Sequence, residues 1–381
     1  MEAGYSLKQL VFYFLKLGSI GFGGPVALVG YMHRDLVEKR KWITDDDYKE
    51  GLALAQLAPG PLAAQLAIYI GYVDYKIIGA TLAGLAFVLP SFLIVVSIGY
   101  AYVQFGGLPW MQAVFYGVGA AVIGIITVSS YKLTKKTIGK DWLLWIIFLV
   151  LAVVTFLTES ENIWLILAAG FAVWFMKAPP KFLNTTNLVF FSPVLLQISN
   201  LLSANEKLMQ IGWFFLKAGA FVFGSGLAIV PFLYGGVVKE HHWLNEQQFL
   251  DAVAVAMITP GPVVITVGFI GYLVAGFEGA CVAALATFLP CYLFTIIPAP
   301  YFKKYGKSPG IKAFIDGVTA AAIGAIAGAV IILAKRQFTD IPSVLIALAT
   351  VLLLIRFKKI QEPFVILAAA LIGLLLKTAG K

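Results

Sequence analysis

A small set of residues has the types and the spacing to do chemistry, and it falls into two matched groups. The first is Lys16, then Phe22, Gly23, Gly24 and Pro25, then Glu50, then Pro59, Gly60, Pro61 and Gln65. The second is Lys217, then Gly224, Ser225 and Gly226, then Asp251, then Thr259, Pro260, Gly261, Pro262 and Thr266. The chemistry these types suit is anion binding. Glycine and proline interrupt a helix, and a helix that restarts presents free N–H groups with a partial positive charge. Lys16 and Lys217 add cations, while Gln65, Ser225, Thr259 and Thr266 add neutral donors. Glu50 and Asp251 can be read as proton carriers or gate residues, or as acids at a helix start.

Other chemistries are poorly served. The three histidines are His33, His241 and His242, the two cysteines are Cys281 and Cys291, and none has metal-ligand spacing. The carboxylates are scattered, so a membrane-embedded enzyme with a metal lacks its cluster. No cofactor is expected. The net charge of +9 comes from lysines in short loops, a membrane-orientation pattern rather than a nucleic-acid surface.

The elements that must position these residues are membrane helices. The chain is 60% hydrophobic and 12% charged, with mean hydropathy +0.91, whereas a soluble domain carries about twice that charge. Apolar runs near the length of a bilayer span recur throughout, continuous rather than alternating, which predicts an all-α polytopic membrane protein and not a barrel. No cleavable signal peptide is evident at the N-terminus.

The chain also repeats itself. At a shift of 201, Lys16 meets Lys217, Gly18 meets Gly219, Trp42 meets Trp243, Glu50 meets Asp251, and Ala-Pro-Gly-Pro at 58–61 meets Thr-Pro-Gly-Pro at 259–262. At a shift of 200, Gly71 meets Gly271, Pro90 meets Pro290, Gly117 meets Gly317 and Gly124 meets Gly324. Two homologous helical repeats follow: residues 1–177, a linker 178–207 that can carry one extra membrane segment, and residues 208–381. Apolar segments are expected near 8–31, 50–72, 77–104, 109–131, 142–157 and 163–176, and again near 208–236, 250–274, 277–302, 311–334, 341–355 and 363–377. Two of three matched loops reverse their Lys/Arg content, which favours inverted repeats. The extra crossing then falls to 188–202, whose proline also allows a re-entrant reading.

Irregular backbone survives inside a bilayer only when it is buried in protein or lines a wet cavity. Broken helices at matched positions of two inverted repeats point to a transporter's substrate site. Inverted copies also bring Lys16 and Lys217 toward one shared cavity from opposite sides.

The Phe-Gly-Gly-Pro at 22–25, the Ala-Pro-Gly-Pro at 58–61, and their duplicated copies resemble the chromate ion transporter family in its long, two-domain form. The resemblance covers essentially the whole chain. It implies a multi-pass protein of the bacterial inner membrane that exports chromate, driven by membrane potential or protons, and so confers chromate resistance. It also implies that the motifs at 22–25 and 58–61 form the site. The second half departs from it, with Ser225 and Gly226 where the first half has Gly-Pro. The expected partners are an oxyanion and the lipid bilayer, with a homodimer as an assembly the sequence allows. The residues alone do not separate chromate from sulfate or another oxyanion, nor a carrier from an anion channel.

Overall fold

Each repeat opens with short helices whose ends are fixed by side chains. The computed structural model describes residues 4–22, 24–105, 109–158, 163–179, 206–220, 229–302, 308–338, 340–357, 360 and 362–378. The first repeat has α1 (Leu7–Ile20), α2 (Gly24–Met32), α3 (Asp45–Leu57), α4 (Leu62–Phe105), α5 (Pro109–Thr137), α6 (Trp142–Thr158) and α7 (Ile163–Lys177). The second has α8 (Glu206–Ala220), α9 (Val230–Leu233), α10 (Glu246–Ile258), α11 (Thr266–Ile296), α12 (Pro309–Gln337), α13 (Ile341–Arg356) and α14 (Glu362–Thr378). Ser6 and Gln9 cap α1 reciprocally, as Asn245 and Gln248 cap α10. The α3 start is capped by Thr44 and carries Asp45, Asp46 and Asp47 against its dipole. Glu50 and Asp251 therefore sit one turn inside their helices and are not helix-start acids. Between the first short helices of each repeat runs a π-helical elbow, His33–Lys39 and Tyr234–Glu240, closed by the Trp42 and Trp243 amides donating to Leu36 and Val237.

The expected gaps at 73–76 and 275–276 are kinks. Lys76 has φ 51° and ties its ammonium to the Val73 carbonyl at 2.9 Å, and Gly276 has φ 62°. Each kink turns the chain into a hairpin, with arms 62–75 and 77–105 in α4 and a matching pair in α11. Among the described residues, four helical stretches are long and apolar enough to cross a membrane: Leu62–Phe105, Trp110–Lys135, Val263–Tyr301 and Pro309–Lys335. The last two helices of each repeat are short, as the sequence suggests.

Matched helices of the two repeats run antiparallel where they touch. Gln337, at the end of α12, donates to the Tyr116 carbonyl near the start of α5. Thr81 lies 2.7 Å from the Tyr292 hydroxyl, while Phe92 packs on Phe277. The elbow of the first repeat packs beside the kink at 76, with Tyr5 stacked on Trp42 and donating to Asp74. The second elbow leads into α10, which Tyr102 meets at the other end of the 77–105 arm, about 40 Å away along that arm. Residues 180–205, which include the expected extra segment at 188–202, lie outside the described residues.

The repeats also exchange their last two helices. α6 and α7 pack on α12 of the other repeat, and α13 and α14 pack on α5. Small residues permit the approach: Gly117 faces the Ala369 carbonyl, and Gly317 faces that of Ala169. An ion pair ties the loop ends of each exchanged hairpin, Asp141 with Lys177 and Asp340 with Lys377. The hydrogen bond from Lys177 holds the Asp141 carboxyl below the usual carboxylate range. A depressed native pKa stabilises the fold above the unfolded value and is lost as pH falls through the native one. Lys177→Gln is therefore expected to lower the melting temperature of detergent-solubilised protein slightly at neutral pH, about 1 kcal/mol or less. In acid below Asp141's native pKa the difference should vanish.

Candidate functional site

The two proline-glycine loops sit at the centre, each pressed against the opposite repeat. α3 ends at Leu57, the loop 58–61 turns, and the first arm of α4 starts at Leu62. Gly60 makes that turn with φ 142°, and Gly261 makes its counterpart with φ 95°. A Cβ on Gly60 would lie 3.1 Å from Cys291 Cβ, and one on Gly261 only 2.0 Å from Ser91 Oγ. Ser91 and Cys291 are themselves equivalent, each following the membrane proline of its repeat. The crossing is direct as well: the Gly261 amide donates to the Gly21 carbonyl at 3.0 Å. The break after α1 and the loop of the second repeat are thus hydrogen-bonded neighbours.

Around this junction the sequence candidates divide. Phe22 is half-buried in the break, and Gly24 and Pro25 open α2. Gly23, Gly224, Ser225 and Gly226 lie outside the described residues. Pro61 is buried and its carbonyl accepts from the Gln65 amide. Pro260 and Pro262 are buried around Gly261. Thr259 and Thr266 were expected as donors, but their hydroxyls donate to the Val255 and Val263 carbonyls at 2.7 and 2.8 Å. Gln65 is fully buried and donates its Nε2 proton to the Pro59 carbonyl at 2.8 Å.

Lys16 and Lys217 are not brought onto this junction. Lys16 rides the exposed face of α1 between Phe12 and Ile20, which are 67% and 61% exposed, opposite Gly18 where α1 packs on α4. Lys217 lies half-buried with its ammonium 5.9 Å over Trp213. The buried stripe of α1 is Leu10, Tyr13, Phe14, Leu17 and Gly18, and Lys16 lies off it.

Glu50 and Asp251 each pair with a phenol. Asp251 is 3% exposed and accepts from Tyr102 at 2.7 Å and from Gln247 at 2.9 Å. Glu50 is the partner of the Tyr69 hydroxyl. The phenols come from different places: Tyr69 belongs to the same repeat as Glu50, whereas Tyr102 belongs to the repeat opposite Asp251. At the two complementary positions stand Phe269, packed on Tyr102, and Phe302, packed near Tyr69. Only the second pair therefore bridges the halves. Sequence reading missed Tyr69, Tyr102, Ser91 and Cys291, although the Tyr/Phe exchange at a shift of 200 is visible in the sequence. Tyr102→Phe would leave a buried carboxylate with one donor, at a cost of about 1–3 kcal/mol. A lower melting temperature and a transport rate reduced about tenfold are expected, read by thermal unfolding and flux on the same preparation.

Polytopic helices broken at matched loops and joined at one centre define this as a multi-pass membrane protein of transporter type. The sequence profile of the chromate transporter family matches residues 8–174 and 209–374, one match in each repeat, and the chain belongs to that family. It is 72% identical to the chromate transport protein of Cupriavidus metallidurans, over 97% of this chain and 93% of that one. It is 62% identical to a probable chromate transport protein of Synechococcus elongatus, over 98% and 97%. A chromate transport protein of Pseudomonas aeruginosa is 29% identical over 97% and 92%. No solved structure matches the chain.

Proposed function

We propose that this protein exports chromate across the inner membrane through the junction of the two motif loops, with its repeats inserted in opposite orientations. The observation that carries the reading is the contact of Gly261 with Gly21 and Ser91, which joins the interrupted segments of both halves at one point. Family membership and the names of the relatives support the substrate. The role is transport rather than catalysis. Irregular backbone at such a centre is sheltered by protein, and the restarting arm at Leu62 offers its first N–H groups to an anion. The face bearing Arg34, Lys39, Arg40, Lys41, Lys135, Lys140 and Lys177 is the basic one, so it is assigned to the cytoplasm. An inside-negative potential drives an anion outward by about 2.3 kcal/mol per charge per 100 mV. Asp251 with Tyr102 serves as the tie that closes one side of the junction, and Glu50 with Tyr69 is its counterpart on the other.

Lys16 and Lys217 act as interfacial anchors in this reading. Helical side chains lean toward the N-terminus, so each ammonium reaches back toward the face its helix starts from. Lys16→Gln is expected to leave the chromate KM within about threefold of wild type, since no ligand contact is lost. A larger rise would return Lys16 to the site.

The test is chromate flux in liposomes containing the full-length protein, with the potential set by a potassium gradient and valinomycin. Flux toward the positive side that stops when the potential is collapsed supports the proposal. Chromate that fails to move at any potential defeats it, and sulfate moving as fast as chromate replaces it with a general oxyanion permease.

A further inference from the structure

One buried side-chain atom among the described residues has no hydrogen-bond partner: Gln65 Oε1. Its assignment as oxygen is fixed, because the other end of the carboxamide donates to the Pro59 carbonyl. The reverse orientation would set two acceptors together. The residue is fully buried, and its carboxamide lies against Gly60, where an added Cβ would meet Gln65 Cδ and Nε2 at 2.8 Å. So an acceptor is held, desolvated and unanswered, in the loop that opens the first arm of α4. An orphaned acceptor at this depth carries a desolvation cost that a donor arriving with a ligand would recover.

Bare oxyanions bring no donor. Chromate and sulfate as dianions carry only acceptor oxygens, and either would meet Gln65 Oε1 with repulsion. A monoprotonated oxyanion differs, since its O–H can point at Oε1 while its charged oxygens face the N–H groups of Leu62, Ala63 and Ala64. Chromate takes up its proton near neutral pH, whereas sulfate stays unprotonated throughout the physiological range. We propose that Gln65 is the specificity-determining residue of the junction. Its Oε1 accepts the hydroxyl proton of hydrogen chromate, and it thereby rejects sulfate and other fully deprotonated oxyanions. The inference rests on the reading of this loop as the anion's path.

The second repeat does not duplicate the device. Thr266 stands at the equivalent position and is occupied with the Val263 carbonyl. Discrimination thus lies in the first repeat. A site built to hydrogen-bond a hydroxyl rejects an analogue lacking it far more strongly than packing alone does, because its own buried group is then left unpaired. The titratable groups nearby do not supply the same selectivity. Glu50 and Tyr69 answer each other, and Cys291 is a buried thiol against Gly60.

The experiment measures chromate flux into liposomes holding the full-length protein, with sulfate, molybdate and phosphate as competitors, in mildly acid and mildly alkaline buffer. In the wild type, phosphate, which bears an O–H, should compete, while sulfate and molybdate should compete roughly a hundredfold less well. The KM for total chromate should rise with pH as the hydrogen form is depleted, and should do so in Glu50→Gln as well. Gln65→Met, and Gln65→Thr, which copies the second repeat, should narrow the gap between phosphate and sulfate to within about threefold and flatten the pH dependence. Sulfate competing as well as phosphate in the wild type overturns the inference, as does a KM indifferent to pH. An unchanged gap in either folded variant does the same. Should neither variant fold, the wild-type competition and pH profile still decide it. A wild type that moves no chromate at all refutes the export reading itself, which is a distinguishable result.

Discussion

Gly261→Val is expected to abolish chromate flux while leaving the protein inserted in the membrane. Gly261 holds φ 95°, a region that costs a β-branched residue about 1–3 kcal/mol. Space is the second obstacle. Its new Cβ would lie 2.0 Å from Ser91 Oγ, so the loop or the 77–105 arm must shift. Such a shift lengthens the 3.0 Å bond from the Gly261 amide to the Gly21 carbonyl, which joins the two breaks. A misplacement near 1 Å at a reacting or binding centre can cost about a hundredfold. Gly60→Val, with φ 142° and Cys291 in the way, is expected to behave alike. The check is flux in liposomes beside a thermal melt. Ser91→Gly in the Gly261→Ala background should recover part of the activity, since it removes the clash but not the strain. Wild-type flux in Gly261→Val would show that the turn does not shape the path.

Gly117→Val is expected to have its largest effect on assembly. A Cβ there would lie 2.0 Å from the Ala369 carbonyl oxygen, and that neighbour is helix backbone. α14 cannot give way without leaving α5, the helix it packs on most extensively. Overpacking usually costs about 1–3 kcal/mol, and more where backbone blocks the relief. Poor yield, aggregation on solubilisation and a melting temperature lower by several degrees should follow. Gly317→Val, facing Ala169 across the other exchange, is the matched control and should act in the same direction. A stable Gly117→Val protein would mean that the exchanged helices are held elsewhere.

Much of the fold was legible because membrane helices announce themselves by length and apolarity, and because the repeat matched glycine to glycine. The breaks at 21–22 and 58–61 could be read from glycine and proline alone. What could not be read was which face of a helix is turned inward, and from which repeat its neighbour comes. Lys16 looked central because its position repeats at Lys217, yet periodicity puts it on the exposed stripe. Asp251 looked like a helix-start acid, but Asn245 starts that helix and Asp251 falls into the core. Tyr102 and Ser91 were invisible as site neighbours, since their partners lie 149 residues away in Asp251 and, for Ser91, in the loop of the other repeat. Gln65 was read as a neutral donor just past its loop. That it stands there as an unanswered acceptor depends on a carboxamide orientation that only the fold determines.

The exchange of α6 and α7 onto α12 has a consequence for biosynthesis. When the ribosome has delivered the first repeat, the surface that α6 and α7 are meant to cover does not yet exist, because α12 is still more than a hundred residues away in the message. Lipid must shield those helices in the meantime, and α5 likewise waits for α13 and α14. The nascent chain cannot mature half by half. Its last two helices to be translated complete the packing of a helix made long before them, so chains terminated before α13 leave both repeats unfinished.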